Sequence, residues 1–255
     1  LTYTYSGLTN SDTASVLSGV LQRVVGENVG SYGIAQNTVT AGNNYTISYT
    51  GNNLGITRAA LTITADAQSK VYGAADPTLS YAYSGLTNGD TAAVFSGGLS
   101  RVAGETVAGG PYAINQNTLT AGGNYTISYT GNNLSITRAG LTVTANAQSK
   151  VYGAADPTLT YTYGGLTNGD TAAVFSGALS RAAGETVAGG PYAINQNTLT
   201  AGNSYTISYS GNTLSITRAA LTVTANAQSK VYGAADPTLT YTYSGLTNGD
   251  TSAVL

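Results

Sequence analysis

Few residues in this sequence are equipped for chemistry. Within the stretch 141–220 they are the carboxylates Asp156, Asp170 and Glu185, a single lysine, Lys150, and the tyrosines Tyr152, Tyr161, Tyr163, Tyr192, Tyr205 and Tyr209. The chain has no histidine, cysteine, methionine or tryptophan, which removes disulfides, thiolate and imidazole metal sites and the commonest general base together. The carboxylates could bridge a calcium ion between neighbouring modules, but they lie far apart and form no Asp-x-Asp cluster, so turn and cap roles are favoured. Lys150 sits among apolar residues, where it could bond covalently to an Asn side chain with a carboxylate as proton shuttle. The plainer expectation is a surface lysine paired with Asp156 or with an Asp on a neighbouring loop. The tyrosines could stack on sugars, yet their strand-like spacing makes them core and cross-strand partners first. A hydrolase or transferase would need a nucleophile and a base, and only a carboxylate pair is on offer. The sequence therefore predicts no catalytic, cofactor-binding or metal-binding residues, no cofactor and no enzyme activity.

Composition narrows the partners. Charged residues make up 8% of the chain, against about 25% in an average soluble domain. Its surface must consist of Thr, Ser, Asn and Gly. With a net charge of −2 and nine Lys plus Arg, no basic face exists to hold nucleic acid or anionic lipid, so neither is expected as a partner. No apolar run reaches the roughly 18–20 residues of a membrane span, and no membrane insertion is expected of this segment.

The elements that must position these residues recur. Ser149-Lys150-Val151-Tyr152-Gly153-Ala154-Ala155-Asp156-Pro157 occurs unchanged at 69–77 and 229–237, and Leu61, Leu141 and Leu221 open equivalent stretches with a period of 80 residues. That period exceeds the 20–50 residues of a solenoid rung, so each repeat reads as a small domain. The expected divisions are a partial repeat at 1–60, full repeats at 61–140 and 141–220, and a partial repeat at 221–255. A chain that opens inside one repeat and stops inside another, with no initiator methionine, reads as an internal piece of a longer repetitive polypeptide. Exposure outside a bacterial cell is inferred from the cysteine-free, hydroxyl-rich repetition, since secreted arrays of small eukaryotic domains usually carry disulfides.

Within 141–220, Leu141-Thr142-Val143-Thr144-Ala145 alternates as a strand, and Asp156-Pro157 breaks the chain because proline removes a ladder donor. Leu159, Tyr161 and Tyr163 then alternate inward. Asn168-Gly169 is a turn from which Asp170 could cap a short helix at 171–175. Pro191-Tyr192-Ala193-Ile194 is a third strand. Tyr205, Ile207 and Tyr209 alternate up to Gly211-Asn212, a two-residue hairpin signal, and Leu214 and Ile216 return. The core is expected from Leu141, Val143, Leu159, Tyr161, Leu166, Val174, Phe175, Leu179, Tyr192, Ile194, Leu199, Ile207, Leu214 and Ile216. Between repeats, Ile216-Thr217-Arg218-Ala219-Ala220 runs into Leu221 with no flexible linker, and the inward parity switches at Ala219-Ala220.

Taken in order, Ser149-Lys150-Val151-Tyr152-Gly153, Leu159-Thr160-Tyr161, Gly165-Leu166-Thr167-Asn168-Gly169-Asp170 and Tyr205-Thr206-Ile207-Ser208-Tyr209 leading to Leu214-Ser215-Ile216-Thr217 resemble the YGX-type MBG domain. Such domains stand in tandem in large bacterial surface adhesins similar to filamentous haemagglutinin. The resemblance covers the whole chain and implies an exported stalk or adhesin repeat, without catalytic residues to carry over.

The resulting expectation is a mainly β protein of tandem 80-residue modules. They are β-grasp-like with one short helix, or alternatively immunoglobulin-like β-sandwiches, arranged as an elongated rod. Its expected role is a stiff structural spacer in an extracellular stalk or fibre at the bacterial cell surface. The alternative is an adhesive module that binds a glycan or a protein through repeated contacts. Neighbouring repeats of the same chain are the expected partners, with lateral or end-to-end homotypic association and a host or surface glycan as further candidates.

Overall fold

The structure, a computed structural model, describes all 255 residues. Period-2 alternation decides its elements. In the complete repeat at 141–220, strand β1 (Ala139–Ala145) buries every second residue, and β2 (Gln148–Val151) follows after two residues. Beyond the proline break come β3 (Tyr161–Gly164), a two-residue β4 (Ser180–Arg181), β5 (Tyr192–Asn195), β6 (Tyr205–Ser210) and β7 (Asn212–Thr217).

One sheet has the order β3-β1-β6 and the other β2-β7-β5-β4. In both, the central pairing is parallel: Ala139 lies opposite Tyr205 in the first sheet and Lys150 opposite Ile216 in the second. The register does not slip between them. The two sheets are thus halves of one bent ribbon, with β3 antiparallel on one flank and β5 and β4 antiparallel on the other. Across the bend the order is second, first, last, fourth, third, with first and last parallel. The parallel first and last strands at the centre, with the second beside the first, fit the β-grasp-like expectation, without the helix that expectation included. A parallel pair at the centre is foreign to a sandwich of antiparallel sheets, the immunoglobulin-like alternative.

Two expected details are corrected. The helix at 171–175 is a single 3-10 turn, Ala172–Val174, because Phe175 is already extended and Ser176 is bridged to Thr200 in the antiparallel sense. Too few residues remain to nucleate an α-helix. Gly211-Asn212 is a bend rather than a hairpin, since β6 pairs with β1 while β7 pairs with β2 and β5. A Cβ on Gly211 would stand 3.0 Å from the Ile194 carbonyl oxygen, and the Asn212 amide donates to the Ala145 carbonyl at 3.2 Å. Glycine permits the close approach and asparagine ties the bend to β1.

At the bend the buried face changes parity, from Leu141, Val143 and Ala145 to Lys150 on one strand and from Tyr205 to Leu214 and Ile216 on the other. Each complete repeat therefore has two small cores. Beyond the bend, Ala145, Tyr192, Ile194, Leu214 and Ile216 cluster, with Leu159, Leu179 and Tyr209 against them. Before it, Leu141, Val143, Leu199, Ala201 and Tyr205 are buried. Their counterparts Leu61, Ile63, Leu119, Ala121 and Tyr125 form one cluster in the preceding repeat. Of the expected core, Leu159, Tyr161, Leu166, Val174, Phe175, Leu179 and Ile207 are half-buried; Tyr163, outside that core but expected to face inward, is exposed.

Between repeats only Arg138 separates the strand Asn132–Thr137 from β1. Ile136, Ala139 and Leu141 are buried while Arg138 is exposed, so the parity switch falls at Arg138, one residue before the position expected. The chain forms two compact units, one comprising 1–68, 77–103 and 111–134 and the other 69–76, 104–110 and 135–255.

Candidate functional site

The lysine of the repeated motif is the most unusual polar residue of the complete repeat. β2 places Lys150 on its inward face, where the residue is 9% exposed. It is therefore no surface lysine, although its partner is the expected one. Its Nζ donates to Asp156 Oδ1 at 2.7 Å and to Glu185 Oε2 at 2.5 Å. Arg181, at the end of β4, closes the group: its Nε donates to Asp156 Oδ2 at 2.6 Å and its Nη2 to Asp156 Oδ1 at 3.0 Å, with Glu185 on the same guanidinium. The Arg181 guanidinium also donates to the Ala182 and Gly184 carbonyls and lies 5.5 Å over the Tyr192 ring.

Two cations and two anions thus neutralise one another around a buried ammonium. The arrangement supplies the pairing that a buried charge requires. The Arg181 fork, with Lys150 beside it, holds the Asp156 carboxyl down to about 2. Lys150 and Arg181 likewise lower the Glu185 carboxyl, and the two carboxylates, Asp156 first, raise the Lys150 ammonium. Amide formation needs a neutral amine, and these pairings hold Lys150 in its charged form. Chemically the cluster is a clamp between β2, β4 and the loops at 156 and 185. Lys70 is held in the same way by Asp76 at 2.6 Å and Glu105 at 2.5 Å.

Of the carboxylates weighed for calcium, Asp156 and Glu185 do come together, but on two cations, and Asp170 is elsewhere. Nor does Asp170 cap a helix, a role taken by Thr171, whose hydroxyl accepts from the Ala173 amide. Asp170 instead accepts from the Tyr205 hydroxyl at 2.8 Å, and that hydroxyl accepts from the Thr167 amide and reaches the Thr167 carbonyl, both at 3.1 Å. Tyr205 fastens β6 to the 167–170 loop.

The tyrosines weighed for sugar stacking mostly spend their hydroxyls internally. Tyr192 donates to the Thr186 carbonyl at 2.8 Å, Tyr209 to the Ile194 carbonyl at 2.9 Å, and Tyr152 accepts from the Asn248 amide at 3.1 Å. Tyr163 keeps an open face beside Phe175, 4.9 Å away centroid to centroid, with Tyr161 adjoining. A gap of about 530 Å³ is lined by Tyr152, Arg218, Leu221, Leu246, Thr247 and Asp250. One repeat earlier, Tyr205 meets the Tyr72 ring edge-on and bonds to Thr167 and Asp170. No helix is long and apolar enough to cross a membrane.

Sequence reasoning missed Arg181. Its signal was present, a cation four residues before Glu185, but nothing local announces that Asp156 and Lys150 converge on it.

The family model of the MBG domain (YGX type) matches residues 1–55, 61–135, 141–215 and 221–255. The chain belongs to the MBG domain family. In the complete repeat of this MBG array the Tyr-Gly pair, Tyr152 and Gly153, stands just past the end of β2. No curated protein and no solved structure matches the chain.

Proposed function

We propose that these MBG repeats are a stiff structural spacer in an extracellular bacterial adhesin stalk or fibre, with no turnover of substrate. The observation that carries this reading is the connection between repeats, where one exposed residue, Arg138, joins the last strand of one repeat to the first of the next. A single-residue link leaves little freedom to swing, and near-identical repeats would multiply length. The clamp around Lys150 fits the same role, because its ionic groups are consumed in mutual pairing.

The test is length and place. A series with two, four and six repeats, imaged by electron microscopy, should lengthen by a constant increment on the order of 30 Å per repeat, and antibodies to the repeats should label intact cells. An increment that vanishes, or labelling only after lysis, defeats the reading.

One observation favours a second, adhesive reading. The open aromatic group of Tyr163 and Phe175 recurs as Tyr83 and Phe95, which would offer a sugar face on each complete repeat. A glycan array with and without Tyr163→Ala and Tyr83→Ala separates the two: binding lost in the double variant supports adhesion, and no binding by the parent chain rejects it.

A further inference from the structure

Tyr-Gly occurs at 72–73, 152–153 and 232–233 in the same local backbone. The glycines have φ of +79°, +80° and +86°, and the alanine after each donates its amide to Val71, Val151 or Val231 at 3.0 Å. Their surroundings differ. Tyr72 is 7% exposed and Tyr232 104%.

Tyr72 reaches past its own repeat. Its hydroxyl donates to Asp170 Oδ2 at 3.0 Å and accepts from the Asn168 amide, also at 3.0 Å. Its ring meets Tyr205 edge-on with centroids 5.4 Å apart. A Cβ on Gly73 would stand 2.1 Å from Thr167 Oγ1. One repeat later the contact recurs: Asn248 donates to the Tyr152 hydroxyl at 3.1 Å, Thr247 donates to the Tyr152 carbonyl at 3.3 Å, and a Cβ on Gly153 would stand 2.4 Å from Thr247 Oγ1. The segment 69–76 accordingly falls in the compact unit that contains the following repeat.

We infer that the Tyr-Gly pair is a plug by which each repeat docks on the next, and that its seat is the Thr-Asn-Gly-Asp loop clasped by the β6 tyrosine. The inference stands independently of the spacer reading. Two features make the fit selective. The seat presents a carboxylate and an amide to one phenol, so it distinguishes tyrosine from phenylalanine. It also brings a threonine side chain against the residue after that tyrosine, so only glycine fits. Both halves are formed in advance: Asn168 and Asn248 have φ of +58° and +57°, as do Asn10 and Asn88 at +57°, and the free Gly233 turn matches the docked ones. Docking therefore orders nothing further, which lowers its entropic cost. Plug and seat are different surfaces, so the contact is head-to-tail and passes from one repeat to the next without closing.

Hydrogen exchange in the intact 255-residue chain, read by NMR, tests this. The probe is the Thr167 amide, which belongs to the repeat after the plug and is bonded to the Tyr205 hydroxyl. Tyr72→Phe keeps the ring but loses both hydroxyl bonds, and should speed exchange at Thr167 and Asp170 about tenfold while leaving Ile63 and Ala65 in its own repeat unchanged. Exchange altered only within 61–140, or nowhere, overturns the proposal. The glycines give an internal control, because Gly233 has nothing within 4 Å of a Cβ. Gly153→Ala and Gly233→Ala bear the same left-handed strain, but only Gly153→Ala should deprotect the 247–250 seat. Equal effects of the two on that seat would mean that the glycine serves its own turn alone, and the plug would fall.

Discussion

Identical sequence behaves differently in two regions of this molecule. Leu141-Thr142-Val143-Thr144-Ala145 and Leu221-Thr222-Val223-Thr224-Ala225 are the same five residues. In the first, Leu141 and Val143 are 0% exposed; in the second, Leu221 and Val223 are 40% and 51% exposed. Both pair with an antiparallel neighbour, β3 in one case and Tyr241–Ser244 in the other. Only the first also has a parallel neighbour, β6. The reverse holds at 45–50, where Tyr-Thr-Ile-Ser-Tyr-Thr repeats 125–130 residue for residue but pairs with nothing, whereas 125–130 is a strand against Ala59–Ala65. The local pattern makes a strand available, and the parallel partner turns it into core.

The largest effect should come from the leucines. Leu141→Ala should cost roughly 2–5 kcal/mol in chemical denaturation, whereas Leu221→Ala, already open to water, should cost less than about 1 kcal/mol. Equal losses would break the comparison.

The tyrosine clasp sharpens it, because Tyr45 makes the same contacts with Asp12 and Thr9 as Tyr205 makes with Asp170 and Thr167. Tyr205→Phe should cost about 1–3 kcal/mol, since it strands a largely dry Thr167 amide. Tyr45→Phe should cost about half as much or less, because water can replace the bond there. Thermal unfolding of the two variants decides between them.

Arg181→Lys should cost about 1 kcal/mol, through the lost fork on Asp156 and the lost stacking on Tyr192. A change of similar size in an Arg218→Lys variant would show that the clamp geometry is irrelevant.

The smallest effect is acid dependence. Asp156 falls from 3.8 to about 2 in the folded chain, so its contribution is present above about pH 4 and is lost as pH falls towards 2. With the carboxylate partly in water, the loss should be no more than about 1 kcal/mol. Asp156→Asn should flatten that part of the stability curve, which an acid titration followed by circular dichroism would show.

Much of this was legible in the residues. Alternation located β1, β3, β5, β6 and β7, and the missing histidine and cysteine confined the chemistry to carboxylates, lysine and hydroxyls. The misreadings share a cause. Gly211-Asn212 carries a hairpin signal that close packing against Ile194 and Ala145 converts into a bend. Asp170 looks like a cap until Tyr205, 35 residues on, claims it. Lys150 looks like a surface residue because neither Glu185 nor Arg181 is near it in sequence. The Tyr-Gly plug left one trace, a tyrosine and glycine unchanged in all three copies, but its seat lies 95 residues away from Tyr72 at Thr167.

The sequence alone determined the repeat, the strands and the lack of imidazole and thiol chemistry, because these follow from residue identity and from a side-chain period of 2 that any strand obeys. The tertiary structure decided which strands lie parallel, which face is dry on each side of the bend and where the tyrosine of one repeat finds its seat. Alternation gives a strand an apolar face without naming its neighbour, and burial and hydrogen-bond pairing are settled only when residues distant in sequence meet.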